Sequence, residues 1–226
     1  MAVNERVCDC VERVVVGPIE TNCYILDAGA AGGDAGCIVV DPGWDAPAIF
    51  EALHGRRVAA VLVTHAHFDH VGALDTLVAA SETGFAISSA DAPRLAACME
   101  QGRQWFGADA AVTARPSREL EDGDLVCAGG FRLRVVSCPG HTPGGLTYVD
   151  DERGFALTGD TLFRGSAGRT DLDGGDVRAL YASLARLGAL PPETRVLPGH
   201  GDSSTIGAEL AGNPHMVRAM RVAHRG

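Results

Sequence analysis

The chain has 226 residues, 46% of them hydrophobic and 21% charged, which excludes disorder over most of its length and suits one domain, residues 1–226, burying roughly 70% of its unfolded surface. Its 19 basic residues, all arginine, stand against 29 acidic ones for a net charge of −10, so a nucleic-acid or anionic-membrane partner is not expected. The first nine residues carry charges rather than a signal-peptide core, and no apolar run reaches the ~18 residues of a membrane span, so a cytoplasmic protein is expected.

In chain order, β-branched runs alternate with helical stretches. Residues 13–16, 23–27 and 37–40 predict a meander of strands, preceded by a tail and ending in Asp41-Pro42-Gly43. A helix over 47–54, a buried strand over 58–64, a helix over 72–83 and a strand over 85–88 follow. Residues 91–106 read as a helix and lead through a looser segment to strands at 125–127, 131–137, 147–150 and 155–158. A helix over 177–187, a short strand at 195–198 and a helix from 206 onward close the chain. Hairpin-length turns such as Ala128-Gly129-Gly130 join the later strands. Two sheets with helices outside, an αβ/βα sandwich of the α/β class, fit this order better than one parallel sheet.

Seven scattered cysteines without a C-x-x-C pair argue against a disulfide framework and a structural zinc knuckle. Cys8 and Cys10 are open to oxidation, but nothing marks them as catalytic. The chemistry lies instead in Thr64-His65-Ala66-His67-Phe68-Asp69-His70, which packs four potential metal ligands into six residues directly after an apolar strand. His65 and His67 are two apart, so an extended backbone aims both imidazoles at one point. Asp69 and His70 fall past a turn and aim at a neighbouring one. One metal site, or two adjacent ones, follows. Further ligands belong at other strand ends in Gly- or Pro-bounded loops, and His141 in Pro139-Gly140-His141, Asp160 in Thr158-Gly159-Asp160 and His200 in Pro198-Gly199-His200 meet that description.

This order of motifs, H-x-H-x-D-H and then a lone His, a Gly-Asp and a Gly-His, resembles the metallo-β-lactamase superfamily from Asp41 to His200. The resemblance implies the sandwich fold, a first metal on His65, His67 and His141, a second on Asp69, His70 and His200, and Asp160 bridging the two. Imidazoles with carboxylates suit zinc first, with iron or manganese as alternatives, whereas calcium and magnesium favour all-oxygen sites. Two such ions lower the pKa of a shared water to about 7 and polarise a carbonyl, which is hydrolytic machinery. Asp69 and Asp160 then stand among the catalytic groups, and Asp41 matches an acidic position that supports the histidine loop.

The stretch from Gly159 to Asp171, with the ending 206–214, looks like the short glyoxalase II-like hydrolases, which implies a thioester substrate such as S-D-lactoylglutathione. Arg169 falls where full-length glyoxalase II has a lysine that contacts the glutathione carboxylate, and an arginine suits a bidentate contact there. Only 26 residues follow His200, too few for the helical domain that completes the glutathione site in those enzymes. A small thioester, a lactone or another acyl compound therefore stays open as substrate. The main rival within the superfamily is a persulfide dioxygenase with one iron on His65, His141 and Asp160. The acidic charge speaks against a nuclease of this fold, and an exported class B β-lactamase would carry a signal peptide.

Overall fold

A computed structural model describes residues 4–29, 36–107 and 112–223. Its first sheet opens with β1 (Asn4–Cys8), β2 (Val11–Val16), β3 (Thr21–Leu26) and β4 (Cys37–Val40), each antiparallel to the one before. The meander is thus one strand longer than the sequence suggests. β1 was expected as tail because it is an edge strand with exposed Asn4, Glu5 and Arg6, and charged edges are how sheets avoid further pairing.

After β4 the chain crosses over through α1 (Ala46–Leu53) to β5 (Val58–Leu62), then through α2 (Phe68–Val71) and α3 (Leu74–Ser81) to β6 (Phe85–Ser88). A 3-10 turn and α4 (Leu95–Phe106) lead on to β7 (Arg118–Leu120). These pairings are parallel and complete a seven-stranded sheet in sequence order. β7 occupies what read as a loose segment; with only three residues, two of them exposed, it leaves no hydropathy signature.

The second sheet begins with β8 (Leu125–Ala128), β9 (Phe131–Ser137), β10 (Leu146–Asp150) and β11 (Phe155–Gly159), all antiparallel. A small hairpin, β12 (Leu162–Phe163) with β13 (Ser166–Ala167), and then α5 (Val177–Leu187) precede β14 (Arg195–Pro198), which lies parallel to β11. β15 (Ser204–Thr205) completes the six strands. The single terminal helix expected from residue 206 is two, α6 (Ile206–Gly212) and α7 (Pro214–Ala223). Pro214 forces the break: it holds Asn213 extended and opens the next helix at the position where its missing N–H costs nothing.

Period-two alternation with both faces apolar explains the layering. Cys23 and Ile25 of β3 and Val39 of β4 join the buried cluster beneath α1 to α4. Their neighbours Tyr24, Leu26, Ile38 and Val40 point to the other side, where they meet Leu133, Val135, Tyr148 and Leu157 of the second sheet. Val136, Val149 and Val196 face outward onto Leu180, Leu184 and Met216 of the remaining helices. The result is the expected αβ/βα sandwich. No helix among the described residues is long and apolar enough to cross a membrane. Because β4, β5, β6, β9, β11 and β14 run the same way, their C-terminal ends share one rim, and the loops leaving it carry every candidate ligand.

Candidate metal centre

Asp41 leaves β4 in a left-handed conformation, φ 52°, which aspartate tolerates better than most residues. The kink turns its buried carboxylate onto the next strand end, where Oδ1 accepts from Thr64 N at 2.7 Å and Oδ2 from Thr64 Oγ1 at 2.7 Å. Oδ2 also takes the Nδ1 hydrogen of His70 at 2.9 Å. The chain bends at Thr64 and His65, is extended at His67, φ −104° and ψ 147°, and then enters α2, which carries Asp69 and His70 in a single turn.

The other loops close on this one. Asp176 caps α5 by accepting from the N–H groups of Arg178 and Ala179, and its own N–H donates to Gly140 O at 2.8 Å, fixing the turn before His141. Glycine is required at 199, where a Cβ would overlap Asp160 Oδ1 and come within 2.7 Å of His70 Cε1.

Four histidines have one nitrogen engaged and the other turned inward. His70 Nδ1 faces Asp41, His65 Nδ1 faces Thr64 Oγ1 at 3.0 Å, His141 Nδ1 faces Arg169 O at 2.8 Å and His200 Nδ1 faces Ile19 O at 3.1 Å. Thr64 Oγ1 already gives its hydrogen to Asp41, so it accepts from His65. Each arrangement fixes the tautomer that leaves an Nε2 lone pair free. Three of them point at two carboxylates: His70 Nε2 lies 3.2 Å from Asp69 Oδ2 and 3.4 Å from Asp160 Oδ1, His200 Nε2 3.2 Å from Asp69 Oδ2 and 3.5 Å from Asp160 Oδ2, and His141 Nε2 3.4 Å from Asp160 Oδ2. His65, His67 and His141 form one group of potential ligand atoms within 4.8 Å of one another, as do Asp69, His70 and His200, and His65, His70 and Asp160.

These residues fit a cation. His70 Nε2, His141 Nε2 and Asp160 Oδ1 are buried without a hydrogen-bond partner, a costly state that bound metal relieves. His65 Nε2 faces His67 Nδ1 at only 3.1 Å, although the first bears no hydrogen. Burial and the surrounding imidazoles hold His65 far below the usual histidine range, and burial with His141 takes His67 down to about 4, so both are the neutral ligands a metal needs. Burial alone would raise Asp69 and Asp160, but His70 and His200 keep both ionised. Burial likewise opposes charge on His70, yet Asp69, Asp160 and Asp41 draw a proton onto it. Carboxylates that attract a proton there attract a divalent ion at the same atom.

Arg169 lies outside this cluster. Its guanidinium is 57% exposed and forms a bidentate pair with Asp171 at 2.7 Å, while its carbonyl holds His141. Several supporting residues gave no sequence signal, being single polar residues at a strand start or in an ordinary turn. Thr21 Oγ1 donates to Asp69 Oδ2 at 2.9 Å, and Asn22 Nδ2 binds Pro198 O and Gly201 O, each at 2.9 Å, holding the turn of His200. Asp91, fully buried, bonds to the His65 and His141 loops together.

The chain belongs to the metallo-β-lactamase superfamily, whose model matches residues 16–200. It is 29% identical over 210 residues to the hydroxyacylglutathione hydrolase GloC of Haemophilus influenzae, covering 91% of this chain and 97% of that one. Among solved structures, the BLEG-1 B3 metallo-β-lactamase superposes with a TM-score of 0.84 at 33% identity, covering 91% of this chain and 99% of that one. TTHA1623, solved in a di-iron-bound form, does so at 0.77 and 41% identity, covering 89% and 98%. The chain is thus a metal-binding member of a hydrolase superfamily.

Proposed function

We propose that the protein is a thioester hydrolase acting on compounds such as S-D-lactoylglutathione. In this reading it holds two divalent ions, zinc first with iron or manganese also suited, one on His65, His67 and His141 and one on Asp69, His70 and His200. Asp160 reaches both, and the observation that carries the reading is its position: Oδ2 lies 3.4 Å from His141 Nε2 and 3.5 Å from His200 Nε2, one ligand of each set. The likeness to GloC supports the thioester as substrate.

Bound there, the ions would supply an acidified water and polarise the acyl carbonyl. The chain's own groups do the rest. Asp41, Thr64 and the carbonyls of Arg169 and Ile19 hold hydrogens on the outer nitrogens of four imidazoles, so the inner nitrogens need no reorganisation when substrate arrives. Thr21 fixes Asp69 by a hydrogen bond to Oδ2. The Asp69 and Asp160 carboxylates, ionised and aimed at the reaction space, are the groups able to take a proton from the attacking water. Arg169 contacts a substrate carboxylate by exchanging it for Asp171. The substrate is a small molecule met in the cytoplasm, with no nucleic acid or membrane involved. A single-iron oxidation centre on His65, His141 and Asp160 would leave Asp69, His70 and His200 without a task, so the two-ion reading is preferred.

The test is the loss of thioester absorbance of S-D-lactoylglutathione with metal-loaded protein, run beside a β-lactam and beside the Asp160→Asn variant. Turnover of the thioester that disappears in the variant is the expected result. A metal-replete sample that leaves the thioester intact rejects the proposal, and cleavage of the β-lactam alone would make the protein a lactamase instead.

A further inference from the structure

A groove of about 270 Å³ opens beside the ligand cluster, lined by residues that include Ala66, His67, Arg94, Cys98, Leu172 and Asp173. It touches the centre itself, because His67 belongs to the first ligand set. Its volume falls just under the range of pockets that take drug-sized ligands, which suits a short acyl chain rather than a tripeptide. The walls are apolar except for one ion pair. Arg94 Nη2 donates to Asp173 Oδ2 at 2.8 Å and to Asp173 O at 2.6 Å. The Arg94 side chain as a whole has 27% exposure, whereas the Asp173 side chain is 94% exposed.

That asymmetry is the informative part. A pair whose acid is almost wholly hydrated contributes little to stability, so the fold does not depend on Asp173 as the partner of Arg94. The backbone of Arg94 is set by its N–H, which donates to Asp91 O at 2.9 Å, and its guanidinium bonds to the side chain and the carbonyl of Asp173. An arginine lining the same groove as a metal-ligand candidate, His67, matches a carboxylate that arrives at the end of a short chain.

Resting on the thioesterase reading, we infer that this groove is the acyl subsite and that it selects acyl groups ending in a carboxylate, which displaces Asp173 from Arg94. Within the thioester class, the thioester of a short dicarboxylic acid is then preferred. Asp173 acts as a stand-in anion that holds the groove in shape between turnovers.

The inference is tested by equilibrium binding, so it stands or falls apart from any turnover. Succinate and butyrate differ by one terminal carboxylate, and each is titrated calorimetrically into metal-loaded wild-type, Arg94→Met and Asp173→Ala protein. Wild type should prefer succinate by about 10-fold, and Arg94→Met should lose that preference while binding butyrate unchanged. Asp173→Ala should bind succinate more tightly than wild type, since the competing anion is gone, an effect a purely structural pair does not produce. Equal affinities in wild type, or the same preference retained in Arg94→Met, would overturn the inference. Should Arg94→Met fail to fold, the Asp173→Ala arm decides alone: unchanged succinate affinity there is a refutation. Failure of the thioester assay with success here would leave a carboxylate site in an enzyme of different chemistry.

Discussion

Asp91 and Thr142 meet at 2.8 Å across the metal rim, Oδ2 accepting from the threonine hydroxyl. The same oxygen accepts from Ala66 N at 2.9 Å, and Oδ1 accepts from Gly144 N at 2.8 Å. One buried carboxylate therefore ties the loop between His65 and His67 to the loop that follows His141. Asp91 leaves the end of β6 and contributes no metal ligand, yet it sets the spacing of the first ligand group.

Replacing Asp91 with asparagine puts an amide N–H₂ where an oxygen meets donors. Retained metal and turnover should fall about 10- to 100-fold, with the far-ultraviolet spectrum unchanged. Metal counted after dialysis against a weak chelator checks this, and full retention would show that the three hydrogen bonds do not position the site.

Gly199 provides a steric test. A Cβ there collides with Asp160 and His70, so Gly199→Ala should abolish activity and displace metal. Gly212, near which a Cβ meets nothing within 4 Å, is the matched control. Gly212→Ala should leave turnover unchanged and stabilise the protein by about 0.5–1 kcal/mol in chemical denaturation, since it sits in a helix.

Arg56 links elements far from the site, pairing with Glu12 at 2.9 Å and Asp27 at 2.8 Å. Burial alone would raise Glu12, but the hydrogen bond from Arg56 brings it below the usual glutamate range, and the same guanidinium lowers Asp27 directly. Both carboxylates titrate lower folded than unfolded. Their stabilisation is therefore complete above the unfolded values of about 4 and fades as pH falls through the folded ones. Arg56→Met should cost about 1 kcal/mol at pH 7, and the difference from wild type should shrink in urea titrations as pH falls through the folded values of the two carboxylates, leaving the part due to the bonds from Arg56 to Leu53 O and Ala52 O.

Cys138 sits in the site's supporting loop but is no nucleophile. It is fully buried, and that burial pushes its thiol up to about 11, so the thiolate is scarce at neutral pH. Cys138→Ala should leave turnover of the loaded enzyme unchanged while lowering stability by about 1 kcal/mol. Loss of activity without loss of metal would point to covalent catalysis.

The candidate ligands were legible in the sequence because metal chemistry demands rare residue types in dense or loop-bounded positions, as in the run from His65 to His70. The layers were legible because β3, β4 and β9 alternate between two apolar faces. β1 and β7 escaped notice because edge strands are charged or short, and a hydropathy pattern needs a buried face. Thr21, Asn22 and Asp91 escaped for a different reason. Their hydrogen bonds join segments 48, 176 and 51 residues apart, and nothing in local composition announces a distant partner. Arg169 shows the converse: its side chain drew attention, whereas its carbonyl touches His141.

The account turns on seven side chains forming one two-ion centre, and metal counted per folded chain tests it most directly, on wild type and on His200→Ala and His67→Ala. Two ions in wild type and one in each variant is the predicted result, since each substitution removes a ligand of a different set. A single ion in wild type that survives His200→Ala intact would contradict the account.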